Sequence, residues 1–289
     1  MQPFNYVKPT RLLEVIGLLK EHGASVRLLA GGTDLTVGLR QGEIAPRMVI
    51  DVKRTVDLPP TISQADGWLT ISATAVLSDV LRHEAVRLHF PALAESASVV
   101  GSIQIRNRAT LVGNICNASP AADTVPVLVV HGAAVTLLGP SGERQVPVVD
   151  FIKGNRHTAL ELGELVTAVR IPITTQPLGT AFARMTRRRG VDLATVNLCC
   201  SVDIGGTTTF AFGAVAPRPL RVRDAGGILA DLTATAEAKS IALDALISKA
   251  SPITDLRASA EYRLAMLRVL AERAHHRATE RLADRMRHG

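Results

Sequence analysis

Apolar side chains at Leu12, Leu13, Val15, Ile16 and Leu19 fall on one face of a helical wheel, and this spacing predicts an amphipathic helix over residues 10–22. Thr10 is its expected N-cap and Gly23 its stop. The pattern then changes. Residues 26–30 read as a short, mainly apolar strand and lead straight into Gly31-Gly32. With a short helix over 34–40 and another apolar strand over 48–52, the segment reads as a small α/β unit.

A strand is expected over 68–73, followed by helices over 77–89 and 91–100. Residues 109–123 carry neither period: they are small, hydroxylic and amidic, with one carboxylate, Asp123. Asp123 is the expected N-cap of an apolar helix over 125–130, with Pro126 in its first turn. Strands over 133–138 and 145–149 flank Gly139-Pro140-Ser141-Gly142, a hairpin signal. Pro172, Thr174, Thr175, Gln176, Pro177 and Gly179 cluster as a linker. Three antiparallel strands follow, over 180–186, 195–204 and 207–214, the last two joined by Gly205-Gly206. The chain closes in helices, notably over 255–286, where Tyr262, Met266, Val269 and Leu270 form an apolar stripe read as core. His275 and His276 are adjacent, so their rings point to different faces and make no metal pair. The fold class expected is α+β.

Composition narrows the picture. The chain has 289 residues, enough for about two domains, and 47% of them are hydrophobic. Aromatics are only 3%, so Ala, Val, Leu and Ile must build the core. Three cysteines, Cys116, Cys199 and Cys200, cannot form a disulfide framework and lack the spacing of a zinc or iron–sulfur site. With no apolar signal core in the first ten residues and no run near the ~20 residues of a membrane span, a reducing, cytoplasmic location is expected. The net charge of +7 is spread along the chain without basic–aromatic interleaving, which argues against nucleic acid. An anionic cofactor or an acidic partner subunit accounts for it more simply.

Two loops carry candidate chemistry. In Ala30-Gly31-Gly32-Thr33-Asp34 the glycines can take positive φ and present backbone N–H groups to an anion, Thr33 adds a hydroxyl, and the following helix adds its dipole. An ordinary tight turn accounts for the same residues, and the segment is not a GxGxxG fingerprint. In the second loop Thr110, Gly113, Asn114, Asn117, Ser119 and Asp123 supply donors, acceptors and one charge; Asp123 suits ribose hydroxyls or a cap. A structural loop held by Asx-type turns is the alternative.

Taken together, the chain resembles the flavin-binding medium subunits of molybdenum hydroxylases, the xanthine and carbon monoxide dehydrogenase family. Ala30 to Leu35 is similar to that family's first FAD loop. Arg106-Asn107-Arg108-Ala109-Thr110-Leu111-Val112-Gly113-Asn114, continuing through Ala118-Ser119-Pro120-Ala121-Ala122-Asp123, is similar to the second. Phe4-Asn5-Tyr6 with Pro9, Gly163-Glu164-Leu165 before Ile171-Pro172, and Arg187 through Ala194 fit the same pattern. The resemblance implies a vanillyl-alcohol-oxidase (PCMH)-type FAD-binding fold. Two α/β subdomains, 1–55 and 56–175, would clamp an extended, non-covalent FAD, with a C-terminal domain of antiparallel sheet and helices over 176–289. It further implies pyrophosphate contacts from Ala30, Gly31, Gly32, Thr33, Asp34, Thr110, Gly113, Asn114, Asn117 and Asp123. Leu165 would lie against the flavin or adenine, and Arg184 near the polar edge of the ring.

Two departures stand out. The family has Gly-Gly where this chain has Val112-Gly113, and a Cβ there disfavours positive φ and would crowd a phosphate. Leu193 follows Asp192 where the family often has an aromatic near the flavin. The function implied is electron transfer: from an iron–sulfur small subunit, itself served by a molybdenum-cofactor large subunit, through FAD to an external acceptor. No side chain is nominated as catalytic and none as a metal ligand. The run Arg184, Arg187, Arg188, Arg189 has three readings: a solvated strand end, a tuner of flavin electronics, or a docking edge for an acidic partner. A stand-alone flavin oxidase of the same fold, a nicotinamide dehydrogenase and a non-catalytic interaction protein are the rivals. The first needs pocket-lining aromatics or paired acid/base groups after Gly179, and the second a fingerprint loop.

Overall fold

In a computed structural model, which describes residues 1–288, the chain begins with three parallel strands in spatial order β1-β3-β2. They are β1 (Asn5–Val7), β2 (Val26–Leu29) and β3 (Met48–Asp51), with α1 (Leu12–His22) and α2 (Leu35–Gln41) as the connections. The expected helix start is off by two residues, and Thr10 is not its cap. Asp57, far along the chain, accepts from the Leu12 N–H at 3.0 Å and pairs with Arg11, satisfying the helix N-terminus from outside. Gly23 does end the helix, at φ +52°.

A five-stranded antiparallel sheet follows, in order β4-β5-β10-β6-β7: β4 (Ile62–Ala65), β5 (Trp68–Ser72), β6 (Ala134–Gly139), β7 (Gly142–Pro147) and β10 (Leu165–Pro172). Between β5 and β6 lie six helices: α3 (Leu77–Arg82), α4 (Glu84–His89), α5 (Pro91–Ser98), α6 (Ile103–Arg106), α7 (Leu111–Cys116) and α8 (Thr124–Val130). The single helix expected over 77–89 is two, because His83 takes extended backbone (φ −67°, ψ 127°) that no sequence signal announces. After β7 come α9 (Val148–Phe151) and a two-stranded ribbon of β8 (Ile152–Gly154) and β9 (His157–Thr158). The parallel sheet, α1 and the five-stranded sheet share one apolar core.

The third sheet is antiparallel: β11 (Leu178–Met185), β12 (Val196–Asp203), β13 (Thr208–Gly213) and β14 (Leu220–Asp224), of which β14 carried no sequence signal. β12 is buried through seven consecutive residues because both faces of the sheet are covered. Phe182, Cys199 and Ala211 turn toward the first core, whereas Ala181, Cys200 and Phe210 join a second core with α10 (Ala236–Ile247) and α11 (Ala260–His288). The stripe expected on α11 is rotated: Tyr262 is exposed, and the buried face runs through Leu267, Leu270, Ala271, Ala274, Ala278 and Leu282. Glu95 on α5 ties the halves together, pairing with Arg277 and Arg281 of α11 and accepting from the Phe182 N–H of β11. Among the described residues no helix is long and apolar enough to cross a membrane.

Candidate functional site

β2 ends at Leu29, and the chain passes through Ala30–Asp34 into α2. Gly32 takes φ +74°, as a glycine turn requires, whereas Gly31 has no positive φ. Gly31 is small for another reason: a Cβ there would stand 2.2 Å from the Arg108 carbonyl oxygen and 2.9 Å from the Ala109 Cα. The two loops singled out in the sequence therefore touch, backbone to backbone, across more than seventy residues. Among the described residues the backbone N–H groups of Gly31, Gly32, Thr33 and Asp34 donate to nothing within the chain, and the Thr33 hydroxyl has no partner. Unlike paired ladder amides, these donors are left unpaired and available to a ligand or water.

The second loop is more ordered than its composition suggests. Thr110 caps α7, its Oγ1 accepting from the Gly113 N–H at 2.9 Å. Asn114 Oδ1 accepts from the Thr124 hydroxyl at 2.8 Å, binding α7 to α8. Val112 sits in the first turn of α7 with its side chain in the core, 4% exposed. The expected crowding does not arise, since the helix holds Val112 at negative φ and turns its Cβ inward. The left-handed residue of this loop is Ala118 (φ +47°), fully buried, which turns the chain between Asn117 and Ser119.

Arg156, which the sequence did not single out, joins the loops at the tip of the β8–β9 ribbon. Its Nη1 lies 2.6 Å from Asp34 Oδ2 and also bonds Asn117 Oδ1. Its own N–H donates to the Ala118 carbonyl at 3.0 Å, and its backbone is left-handed, at φ +59°. The only sequence hint was the Gly154-Asn155 turn signal before it.

Asp123 precedes α8 without capping it; its backbone is already helical and its carboxylate makes no cap bond. Instead its Oδ2 pairs with Arg184 Nη1 at 2.8 Å and its Oδ1 accepts from Asn197 Nδ2 at 2.9 Å. Arg184 and Asn197 face each other on β11 and β12, so the end of the second loop is bolted to the third sheet. Burial pushes the Asp123 carboxyl above its ordinary value, against the opposing Asn197 hydrogen bond and Arg184 charge. Leu165 is not brought to this seam: at the start of β10 it is 1% exposed and paired with Leu138, which leaves no surface for a ring. Arg187 and Arg188 are exposed and gather around Asp192, whose carboxyl the Arg187 hydrogen bond holds below its usual range; Leu193 beside it is exposed.

The seam thus offers a row of unpaired backbone donors, a hydroxyl and a neutralised carboxylate, a donor set that fits an elongated anion such as a dinucleotide pyrophosphate. Family comparison agrees. Residues 2–174 match the FAD binding domain in molybdopterin dehydrogenase, and residues 180–278 the CO dehydrogenase flavoprotein C-terminal domain. The chain belongs to this family. It is 32% identical over 284 residues to the carbon monoxide dehydrogenase medium chain of Hydrogenophaga pseudoflava, covering 97% of this chain and 98% of that one. It is 28% identical over 276 residues to the xanthine dehydrogenase FAD-binding subunit of Escherichia coli O157:H7, covering 93% and 94%. A solved structure of the Hydrogenophaga carbon monoxide dehydrogenase, lacking the Mo-pyranopterin moiety of its cofactor, superposes with a TM-score of 0.90 at 32% identity over 97% of this chain and 99% of that chain. The α+β architecture is the FAD-binding PCMH-type fold of these flavoprotein subunits.

Proposed function

We propose that this chain is the FAD-binding, electron-transfer subunit of a multi-subunit molybdenum hydroxylase, acting in the cytoplasm between an iron–sulfur subunit and an external acceptor. Molybdenum cofactor and iron–sulfur clusters then reside on partner subunits, and FAD is held here without a covalent bond. The observation that carries this reading is the contact of the two loops at Gly31, which gathers the unpaired N–H groups of residues 31–34 beside α7. FAD supplies the redox chemistry; the protein's share is to bind, orient and shield it. Ala30, Gly31, Gly32, Thr33 and Asp34 form one lip of the cradle, and Thr110, Gly113, Asn114 and Asn117 the other. Asp123 and Arg184 brace the second lip against the third sheet, and Arg184 is the cation assigned in this reading to the polar edge of the flavin. We divide the chain into two cofactor-binding units, 1–55 and 56–175, and a C-terminal unit, 176–289.

The test is direct. The expressed chain, incubated with FAD and desalted, retains flavin absorption bands in the visible; a colourless protein would sink the proposal. Co-expression with neighbouring reading frames should yield a complex with iron–sulfur absorption, whereas a flavoprotein that turns over substrate alone would favour a stand-alone oxidase.

A further inference from the structure

The proposed cradle contains an electrostatic problem. Asp34 is a carboxylate, and it sits in the row of donors that would receive a pyrophosphate. Like charges at such range repel, more strongly where the cofactor excludes water. The remedy lies in the fold. Arg156 reaches Asp34 Oδ2 at 2.6 Å and Asn117 Oδ1 with the same guanidinium nitrogen, so one cation bonds both lips. The side chain is 57% exposed, but its root is fixed. The left-handed backbone at Arg156 and its N–H bond to the Ala118 carbonyl fix the root of the side chain, and Ala118 is itself the buried turn of the second lip. The β8–β9 ribbon pairs with no other strand, so its tip is free to serve the loops.

We propose that Arg156 is the charge-compensating positioning residue of the FAD pyrophosphate cradle: it neutralises Asp34 and holds it to Asn117, so that the dianionic pyrophosphate can enter. The inference rests on the proposed FAD site. It differs from a merely structural tie in one respect. If Arg156 only clamps the lips, removing either end of the Asp34–Arg156 pair does the same damage. If it compensates charge, removing Arg156 harms binding because Asp34 is left bare, and removing Asp34 as well repairs it.

The experiment is a fluorescence titration of the full chain with FAD, ADP and riboflavin, with thermal midpoints recorded alongside. Arg156→Gln weakens FAD and ADP about tenfold, about 1.4 kcal/mol, and leaves riboflavin, which has no phosphate, unaffected. Asp34→Asn alone strengthens FAD binding by up to roughly threefold. The double variant Arg156→Gln with Asp34→Asn returns to within about threefold of the unaltered chain, and Arg156→Lys, which keeps the charge, loses less than Arg156→Gln. Should Asp34→Asn weaken FAD as much as Arg156→Gln, with no recovery in the double variant, charge compensation is wrong and the contact is a scaffold only. Wild-type affinity in Arg156→Gln overturns the inference outright. If the unaltered chain itself binds no FAD, the functional proposal fails first and takes this one with it.

Discussion

Replacing Gly31 with alanine is the sharpest probe of the site. The added Cβ would lie 2.2 Å from the Arg108 carbonyl oxygen, so the two loops must part by about 1 Å to regain van der Waals contact. Neither opposing atom can rotate aside, because both belong to backbone. The second loop is also anchored: Ala109 O accepts from the Leu77 N–H at 2.8 Å, and Ala109 N donates to Ile105 O at 2.7 Å. The N–H groups of residues 31–34 have no such bonds, and the Gly32 and Asp34 carbonyls bond only forward into α2, so the first loop yields. A displacement of that size stretches the 2.6 Å contact between Asp34 and Arg156 and misaligns the donor row. Overpacking of this kind costs about 1–3 kcal/mol of stability. That corresponds to a thermal midpoint lower by roughly 2–5 °C at this chain length. The larger effect is on FAD, whose affinity is expected to fall by about a hundredfold as several charge-assisted bonds lose alignment. Flavin fluorescence titration and calorimetry measure the two quantities separately. Gly17→Ala is the control: no atom lies within 4 Å of its Cβ position on α1, and helix propensity predicts about 1 kcal/mol of stabilisation with FAD binding unchanged. If Gly31→Ala keeps both the FAD affinity and the midpoint of the unaltered chain, the loops do not meet and the cradle is wrong.

Arg184→Ala strips the partner from a carboxylate with 8% side-chain exposure, and urea denaturation should show a loss of about 3 kcal/mol that adding Asp123→Asn largely restores. Unchanged FAD affinity and flavin potential in the single variant would remove Arg184 from the flavin edge. Burial, then the nearby Arg285 charge, holds the His131 imidazole down to about 4 from its ordinary 6.5. The folded state therefore binds fewer protons than the unfolded one, and stability complete above 6.5 drains away as pH falls toward 4, by roughly 3 kcal/mol in all. Denaturation across that range should flatten in His131→Gln; an equally steep loss would show that His131 is not its source. Gly179→Ala would put a Cβ 1.9 Å from the Ala278 carbonyl oxygen, so α11 must leave β11, at a cost of about 3 kcal/mol or more. Hydrogen exchange should then quicken across residues 178–185 and 260–288, and unaltered protection there would refute the close approach.

What could be foreseen in the chain followed the physics of each signal. The β2–α2–β3 unit, the hairpin at Pro140-Ser141 and three of the four C-terminal strands rest on local patterns, and they stand where expected within a few residues. The misses have a common root in tertiary contact. The stripe on α11 was sought among large residues, but this helix packs so closely on Gly179 that its buried face must be alanine: Ala271, Ala274 and Ala278. The cap of α1 comes from Asp57, beyond the range of any capping motif. Arg156 drew no reading at all, because nothing local distinguishes an arginine facing water from one aimed at two distant loops.

The small residues of the two loops answer two different needs, and separating them changes what the signature means. Gly32 provides a left-handed turn, the use that glycine in such a loop usually suggests. Gly31 provides an absence of volume, so that one backbone can lie on another. In the second loop Gly113 is helical and starts no turn; its N–H closes the Thr110 cap, and Val112 beside it is free to carry a core side chain. A glycine at position 112 is therefore not a condition of the fold here, and replacing the valine would empty part of the core beneath α7. The unpaired donors of residues 31–34 lie where the two loops meet, and the charge among them is answered from a third element, the ribbon that carries Arg156. A site assembled this way depends less on any one motif than on three segments arriving together, which is why the two motifs alone could not decide between a ligand cradle and a pair of turns.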